Sequence, residues 1–446
     1  MDAKDDTAGA FDEFDVVNDL VDVGYAVGEA DDHDEVVPDI QEPTHGTWVP
    51  PSQVENLLHR YKDDPDVSGY LTILATTGVY HPVPITHAHQ EPAKRQPMIA
   101  ETDDGTRVLS VYSMDVLPRP HPKIVYEFTN LRGLVGMLGD VDVLMVNPAT
   151  PCQNVLLLGD TMNQLMLRLH DEYWEPGYFS HRIFTRRSNA TEPGALLHGL
   201  ACGAQLCVTN GYPWNTTEHH GNGYSAELAL LEKWWDVKVR DDWLQIMRRL
   251  LDRDVGSSMW DDVLHTRNLL AEHIGGPVDE AQWRQFDSVA FRQYVAQSGR
   301  PAQPGADPRL DGVVAARGEL ITRVLRYEAR FREDGLLVGD GPGDGYVRST
   351  AAWDLGRASA MARWGRSTRF GTQAEMFDAL RELSAEVQRR YTSWEEFGVG
   401  YLLGRCLHLD EDTFGEWYTE ARDTHQLLLS YEQSPWVTVP FAGSPS

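Results

Sequence analysis

Asp354 and Arg357 stand three residues apart in the run Ala351-Ala-Trp-Asp-Leu-Gly-Arg-Ala358, a spacing that places a carboxylate and a guanidinium on one helix face. With Glu396 and Arg405 from the next helices they form the candidate catalytic group, a cleft that binds an anion or activates water as a hydrolase or transferase does. The competing reading is a helix-locking ion pair, joined by Glu395 or Arg405, because an unpaired charge on a buried helix costs several kcal/mol. Glu396 has a second explanation: Ser393-Trp-Glu-Glu396 fits a capping box, with Ser393 as N-cap and Glu396 reaching back. The ion-pair reading takes precedence, and no catalytic residue is assigned.

Other reactive types are present without the spacing that chemistry needs. His87-Ala-His89 sets two imidazoles on one side of an extended chain and His219-His220 offers two more, but no acidic or cysteine partner stands at a diagnostic metal-ligand interval. His59, His170, His198 and His425 are single histidines on expected helices, read as surface or satisfied core groups. Cys406 and His408 are two apart on a helix and face different ways. The sequence has no GxSxG and no CxxC, and its four cysteines, Cys152, Cys202, Cys207 and Cys406, read as reduced, buried small hydrophobes. Gly339-Asp-Gly-Pro-Gly-Asp-Gly345 lacks the Lys-Ser/Thr of a phosphate loop, and its aspartates repel phosphate. Asn215-Thr-Thr217 matches a glycosylation triplet without meaning in the cytoplasm. No metal and no cofactor is expected.

The whole chain bounds the setting in which such groups act. Its 446 residues are enough for two or three domains, and its formal charge of −29 repels nucleic-acid phosphates and anionic membranes. No apolar run approaches the roughly 20 residues of a membrane span, and the start lacks a signal-peptide pattern, so the expectation is a cytoplasmic protein. Residues 1–43 hold a single basic residue, Lys4, among recurring acids, a composition expected of a disordered tail. Apolar residues from Phe11 and Phe14 through Leu20 to Tyr25 thread it, the pattern of a segment that docks onto a partner or back onto its own body.

Residues 44–186 read as an α+β domain, a mixed sheet with short helices. Gln53–Tyr61 is a helix, Gly69–Ala75 a buried strand, Val79–Pro84 an extended segment and 87–95 a polar loop. Met98–Glu101 and Arg107–Tyr112 form a hairpin about the Asp103-Asp104-Gly105 turn. Leu131–Leu138 is a helix, Asp142–Val146 a strand stopped by Asn147-Pro148, and Asp160–Tyr173 a closing helix. The stretches Thr102-Asp-Asp-Gly-Thr-Arg-Val-Leu-Ser-Val-Tyr-Ser113 and Gly139-Asp-Val-Asp-Val-Leu-Met-Val-Asn-Pro-Ala-Thr150 resemble the amino-terminal domain of the SseB family over about residues 48–160. That resemblance implies accessory roles beside secretion or toxin systems and no catalytic residue.

Residues 187–446 read as mainly α-helical. Ala195–Val208, Ala226–Trp235, a segment capped by Asp241 and Asp242, Ala281–Tyr294 and Val313–Phe331 are helices. Met376, Leu380, Leu383, Val387 and Tyr391 make one helix face, Trp394, Phe397, Tyr401, Gly404 and His408 the next, and Phe414, Trp417, Ala421 and Leu428 a third. Trp353-Asp-Leu-Gly-Arg357, Ala362-Arg-Trp-Gly365, Tyr391-Thr-Ser-Trp-Glu-Glu-Phe397 and Tyr401-Leu-Leu-Gly-Arg405 resemble the domain-of-unknown-function family twelve-sixty-six over about residues 195–430. That family implies a helical domain without assigned activity. The expectation is a non-enzymatic accessory, adaptor or immunity-type protein whose partner is another protein, with no nucleic acid, no membrane insertion and the acidic tail as a docking segment.

Overall fold

The structure, a computed structural model, describes residues 48–90, 96–187, 191, 193–218, 220–297, 308–338 and 345–442. The tail 1–43 lies outside them, as do His219 and much of the loops expected over 299–311 and 335–345. The chain forms two compact units: Met1–Glu192 with Cys207–Trp243 and Arg363–Met376, and Pro193–Leu206 with Leu244–Ala362 and Phe377–Ser446. The first carries a mixed sheet with short helices, and the second is mainly helical.

In the first unit, α1 (Gln53–Tyr61) starts where Ser52 Oγ accepts the Val54 N–H at 3.1 Å and donates to Glu55 at 2.5 Å. The next segment corrects the reading of Gly69–Ala75 as a strand: it is α2 (Ser68–Thr77). Its buried residues, Tyr70, Leu71, Leu74 and Ala75, recur at helical spacing, and Thr72, Thr76 and Thr77 donate to carbonyls four residues back. A seven-residue apolar run fits either period, and here the helical one wins.

Strand β1 (Val79–Pro84) leads into the single turn α3 (Ile85–Ala88), which takes up the start of the expected loop. The expected hairpin is present as β2 (Ile99–Glu101) and β3 (Arg107–Val111), with Gly105 at φ +83° in its turn. Next comes β4 (Ile124–Thr129), which the sequence reading lacks; it pairs antiparallel with β1. Helix α4 (Leu131–Leu138) returns the chain to β5 (Val143–Val146), β6 (Asn154–Leu157) and α5 (Asp160–Tyr173). The larger sheet runs β2-β3-β5-β6, with β3 and β5 parallel, so the segment holding β4 and α4 supplies the crossover such a pair requires.

The stretches 102–113 and 139–150 meet at one point. Asn147, at φ +50°, accepts the Ser113 N–H at 2.7 Å and donates from Nδ2 to Ser113 Oγ at 3.1 Å. This clamp ties the ends of β3 and β5. One sheet face is buried through Leu109, Val111, Leu144, Val146 and Leu156 against α1, α2, α4 and α5.

Helices α6 (Ala195–Cys202) and α7 (Ala204–Asn210) replace the single expected helix, parted at Gly203. Then come α8 (Tyr224–Trp235) and α9 (Arg240–Leu251), where Asp242 caps from inside the first turn by accepting the Lys238 and Val239 amides. Helix α10 (Ser258–Ile274) has no counterpart in the sequence reading, because Thr266 and Arg267 occupy its buried face and break the apolar stripe. Helices α11 (Glu280–Gln297), α12 (Pro308–Glu333), α13 (Ala351–Ser367) and α14 (Gln373–Arg390) lead to α15 (Trp394–Leu409), buried on all sides from Phe397 to Leu407. Its buried Gly404 permits that closeness, since a Cβ there would lie 2.5 Å from Trp353. The face expected through Phe414 and Trp417 is shifted: α16 (Glu416–Ser430) buries Tyr418, Ala421, His425 and Leu428, and Phe414 precedes the helix. A final turn, α17 (Pro435–Thr438), sets Trp436 parallel to Trp394 at 5.8 Å.

That aromatic nest encloses two of the single histidines. His198 stacks on Trp394 at 4.8 Å and His425 meets Trp436 edge-on at 5.7 Å. Burial pulls both imidazoles down to about 4. Free imidazoles titrate near 6.5, so the folded chain binds fewer protons than the unfolded one between those values. The stabilisation is complete above pH 6.5 and lost as pH falls toward 4. A His425→Phe variant removes one such group. Denaturant titrations should then show the loss of stability between pH 7 and pH 5 reduced by about 2 kcal/mol, and an unchanged loss contradicts the assignment.

Candidate functional site

The four charged residues singled out in the helical unit hold separate posts. The buried Asp354 accepts the Val255 N–H at 3.1 Å and the Gly256 N–H at 2.9 Å, and pairs with Arg357 on its own helix. Arg357 lies 4.2 Å over the Trp353 ring and donates to the Trp353 carbonyl at 3.1 Å. Arg405 pairs with Glu420 at 2.8 Å and covers Trp417 at 5.3 Å. Glu396 is tied to its cap: Ser393 Oγ accepts the Glu396 N–H at 3.2 Å, and its own carboxylate takes the Thr392 N–H at 2.7 Å, one residue earlier than a standard capping box. Arg405 is thus bound to Glu420 and Glu396 to its own cap.

The other candidates are placed as follows. His89 Nε2 lies 3.2 Å from the Tyr224 hydroxyl, His220 is buried edge-on to Tyr212, and His87 sits on α3. Among the described residues no group of three or more His, Cys, Asp and Glu side chains is placed to hold a metal ion. All four cysteines are free and buried, and burial pushes the Cys202, Cys207 and Cys406 thiols up, away from the nucleophilic thiolate. Asn215 is buried, with its amide holding both backbone groups of Arg186.

A site of different composition lies in the first unit. A cavity of about 630 Å³ opens between the start of α1, the turn after β3, β4, the end of α5 and the segment entering α8. Each element contributes for a local reason. The α1 cap fixes Ser52 and Glu55, and the turn Met114–Val116 carries Asp115 inward. In β4, Glu127 faces the start of α8 and accepts the Ser225 N–H at 3.1 Å and the Ser225 hydroxyl, a carboxylate at a helix N-terminus. Phe128, Trp174, Tyr178 and Phe179 line the remainder, with Tyr178 and Phe179 half-exposed.

Arg186 closes this site from behind. Its Nε stands 2.9 Å from Asp115 Oδ1, while Nη2 donates to the Asp115 carbonyl at 2.8 Å and Nη1 to Thr216 Oγ1 at 3.1 Å. Even so, burial first and the Glu55 carboxylate second push Asp115 above the ordinary carboxylate range, with Arg186 opposing. The wall carries three buried carboxyl groups, Glu55, Asp115 and Glu127, and Arg186 is paired with the second of them. Arg132, also on the wall, is exposed and paired with Asp171. The cavity therefore sets buried acceptors and partly exposed aromatic rings along one space, an arrangement whose chemistry suits a positively charged or donor-rich group on an apolar stem.

Residues 230–441 match the family model described as Protein of unknown function (DUF1266). The match covers α9 to α17 and the helical half of the sequence resemblance; the SseB-like resemblance rests on residues 102–113 and 139–150 alone. No curated protein and no solved structure matches the chain.

Asp354→Asn tests the role given to the α13 pair. An amide in its place leaves Arg357 buried beside a neutral group and offers one acceptor where two amides and a guanidinium converge. The expected result is a loss of roughly 3–5 kcal/mol of unfolding free energy in denaturant titrations, and an unaltered unfolding curve would show that the pair does not brace the helices.

Proposed function

We propose that the chain is a non-enzymatic, cytoplasmic accessory or adaptor protein that acts by binding another protein, and that the cavity of its amino-terminal unit takes hold of that partner. The observation that carries this reading is the chemistry of the cavity wall, where buried Glu55, Asp115 and Glu127 line one space with the partly exposed Phe128, Trp174 and Tyr178. A lysine or arginine side chain of the partner fits such a wall, its methylene stem against the rings and its charged head at the carboxyl groups. The net charge of −29 adds a long-range pull on basic partners and acts against nucleic acid.

The commitments of the helical unit support the same choice. Asp354, Arg357, Glu396 and Arg405 are held by backbone amides, a cap and a buried pair, an arrangement suited to stiffness. The family match over residues 230–441 adds no activity to weigh against binding.

The test compares the chain with an Ala226→Trp variant, in which an indole enters the cavity from a half-buried wall position. Quantitative affinity purification from the native cell should enrich a protein with the parent chain and lose it about ten-fold or more with the variant. A prey retained equally by both chains contradicts the cavity's role, and no specific prey with either contradicts the adaptor reading.

A further inference from the structure

The sheet β2-β3-β5-β6 has one face in the core, and its other face ought by simple alternation to be polar. It is not. Leu157 on β6 stands opposite Val143, which stands beside Val108, and Val155 stands opposite Met145. Val108, Val143 and Met145 are half-buried, while Leu157 is 74% exposed and Val155 47%. β6 is also the last strand in the sheet order, so its outer edge bears backbone groups without a ladder partner there. An apolar face beside an open edge is an interaction surface.

Where the described chain begins bears on what covers this face. Trp48 packs against the core beneath the sheet and meets His59 edge-on at 5.1 Å. His59 Nδ1 lies 2.7 Å from the Pro151 carbonyl, which also accepts from Lys62 Nζ at 2.8 Å, and Asn154, the first residue of β6, donates to the Lys62 carbonyl at 3.3 Å. Trp48, the first described residue, is thus linked through His59 to the turn that joins β5 to β6. The 22 residues between Tyr25 and Trp48 span up to about 70 Å when extended, several times the width of four strands. Within reach stand Phe11, Phe14, Val16, Val17, Leu20 and Val21, interleaved with acids. At the entrance the ammonium group of Lys62, seated on the Pro151 carbonyl, attracts those acids.

We propose that residues 11–25 of this chain dock onto the outward face of β5 and β6, with Leu157 and Val155 as the central contacts. The tail then covers the sheet of its own chain and occupies the edge to which another strand would add.

The experiment uses the full chain with Phe14 replaced by photoreactive benzoylphenylalanine, as an equal mixture of ¹⁴N- and ¹⁵N-labelled protein. After irradiation, mass spectrometry should find cross-links from position 14 to residues 143–157 within single-isotope chains. Leu157→Asp, a change at an exposed position that leaves the core untouched, should lower their yield about ten-fold. Amide exchange over 11–25 supplies a second reading and should quicken in the same variant. Cross-links only between light and heavy chains would assign the face to a second copy and overturn the proposal. Cross-links elsewhere, none at all, or a yield indifferent to Leu157→Asp overturn it as well.

Discussion

A guanidinium taken out of water must be met on all sides by acceptors, and this constraint governs the helical unit. Arg267 lies buried with two bonds of 2.8 Å to Glu328, a third of 2.7 Å to the Val347 carbonyl, and the rings of Trp283 and Tyr346 packed on it at 4.3 and 4.4 Å. Arg317 repeats the scheme with Asp287 at 2.6 and 2.8 Å, and Thr266 adds a hydroxyl to the same carboxylate. Such pairs gain little net energy over apolar substitutes, but leaving one partner alone costs roughly 3–5 kcal/mol, so they penalise every arrangement that parts them. They set which helices may adjoin: α10 with α12, α11 with α12, and α15 with α16 through Arg405 and Glu420.

The amino-terminal unit obeys the same constraint with a different outcome. Arg363, wholly buried, donates to the Pro213 carbonyl at 2.7 Å and to Cys207 Sγ at 3.3 Å, and burial holds its charge less firmly than usual. Glu227 is buried as well, and its carboxyl is pushed well up by that burial. Around the cavity, the buried Glu55, Asp115 and Glu127 share one wall, with Arg186 paired to Asp115. The helical unit closes its charges upon one another, whereas the amino-terminal unit keeps acceptors along a space large enough for a ligand. That contrast directs the functional reading toward binding in the first unit and rigidity in the second.

How far the sequence discloses this depends on the range of the signal. The Ser393 cap and the Asp-Gly hairpin are set by residues within a few positions, and both are legible. Gly69–Ala75 misleads because its apolar run suits two periods, and α10 escapes because a buried Arg267 imitates a solvated face. Strand β4, IVYEFT, follows a proline-rich link closely enough to pass for its continuation. The cavity is the least legible part. Asp115 and Arg186 are 71 positions apart, Glu127 and Ser225 are 98 apart, and neither pair has a local pattern. Asp354 and Arg357 are conspicuous in the sequence, yet the groups that explain Asp354, the Val255 and Gly256 amides, lie almost a hundred residues earlier.

In the helical unit the buried ions act as braces. A double-mutant cycle on Arg405 and Glu420, using Arg405→Met, Glu420→Gln and the two together, tests this role most directly by equilibrium unfolding. Each single change should cost roughly 3–5 kcal/mol, and the pair together should cost far less than the sum of the two. Single changes below about 1 kcal/mol that simply add would contradict it and return Arg405 to the residues available for chemistry.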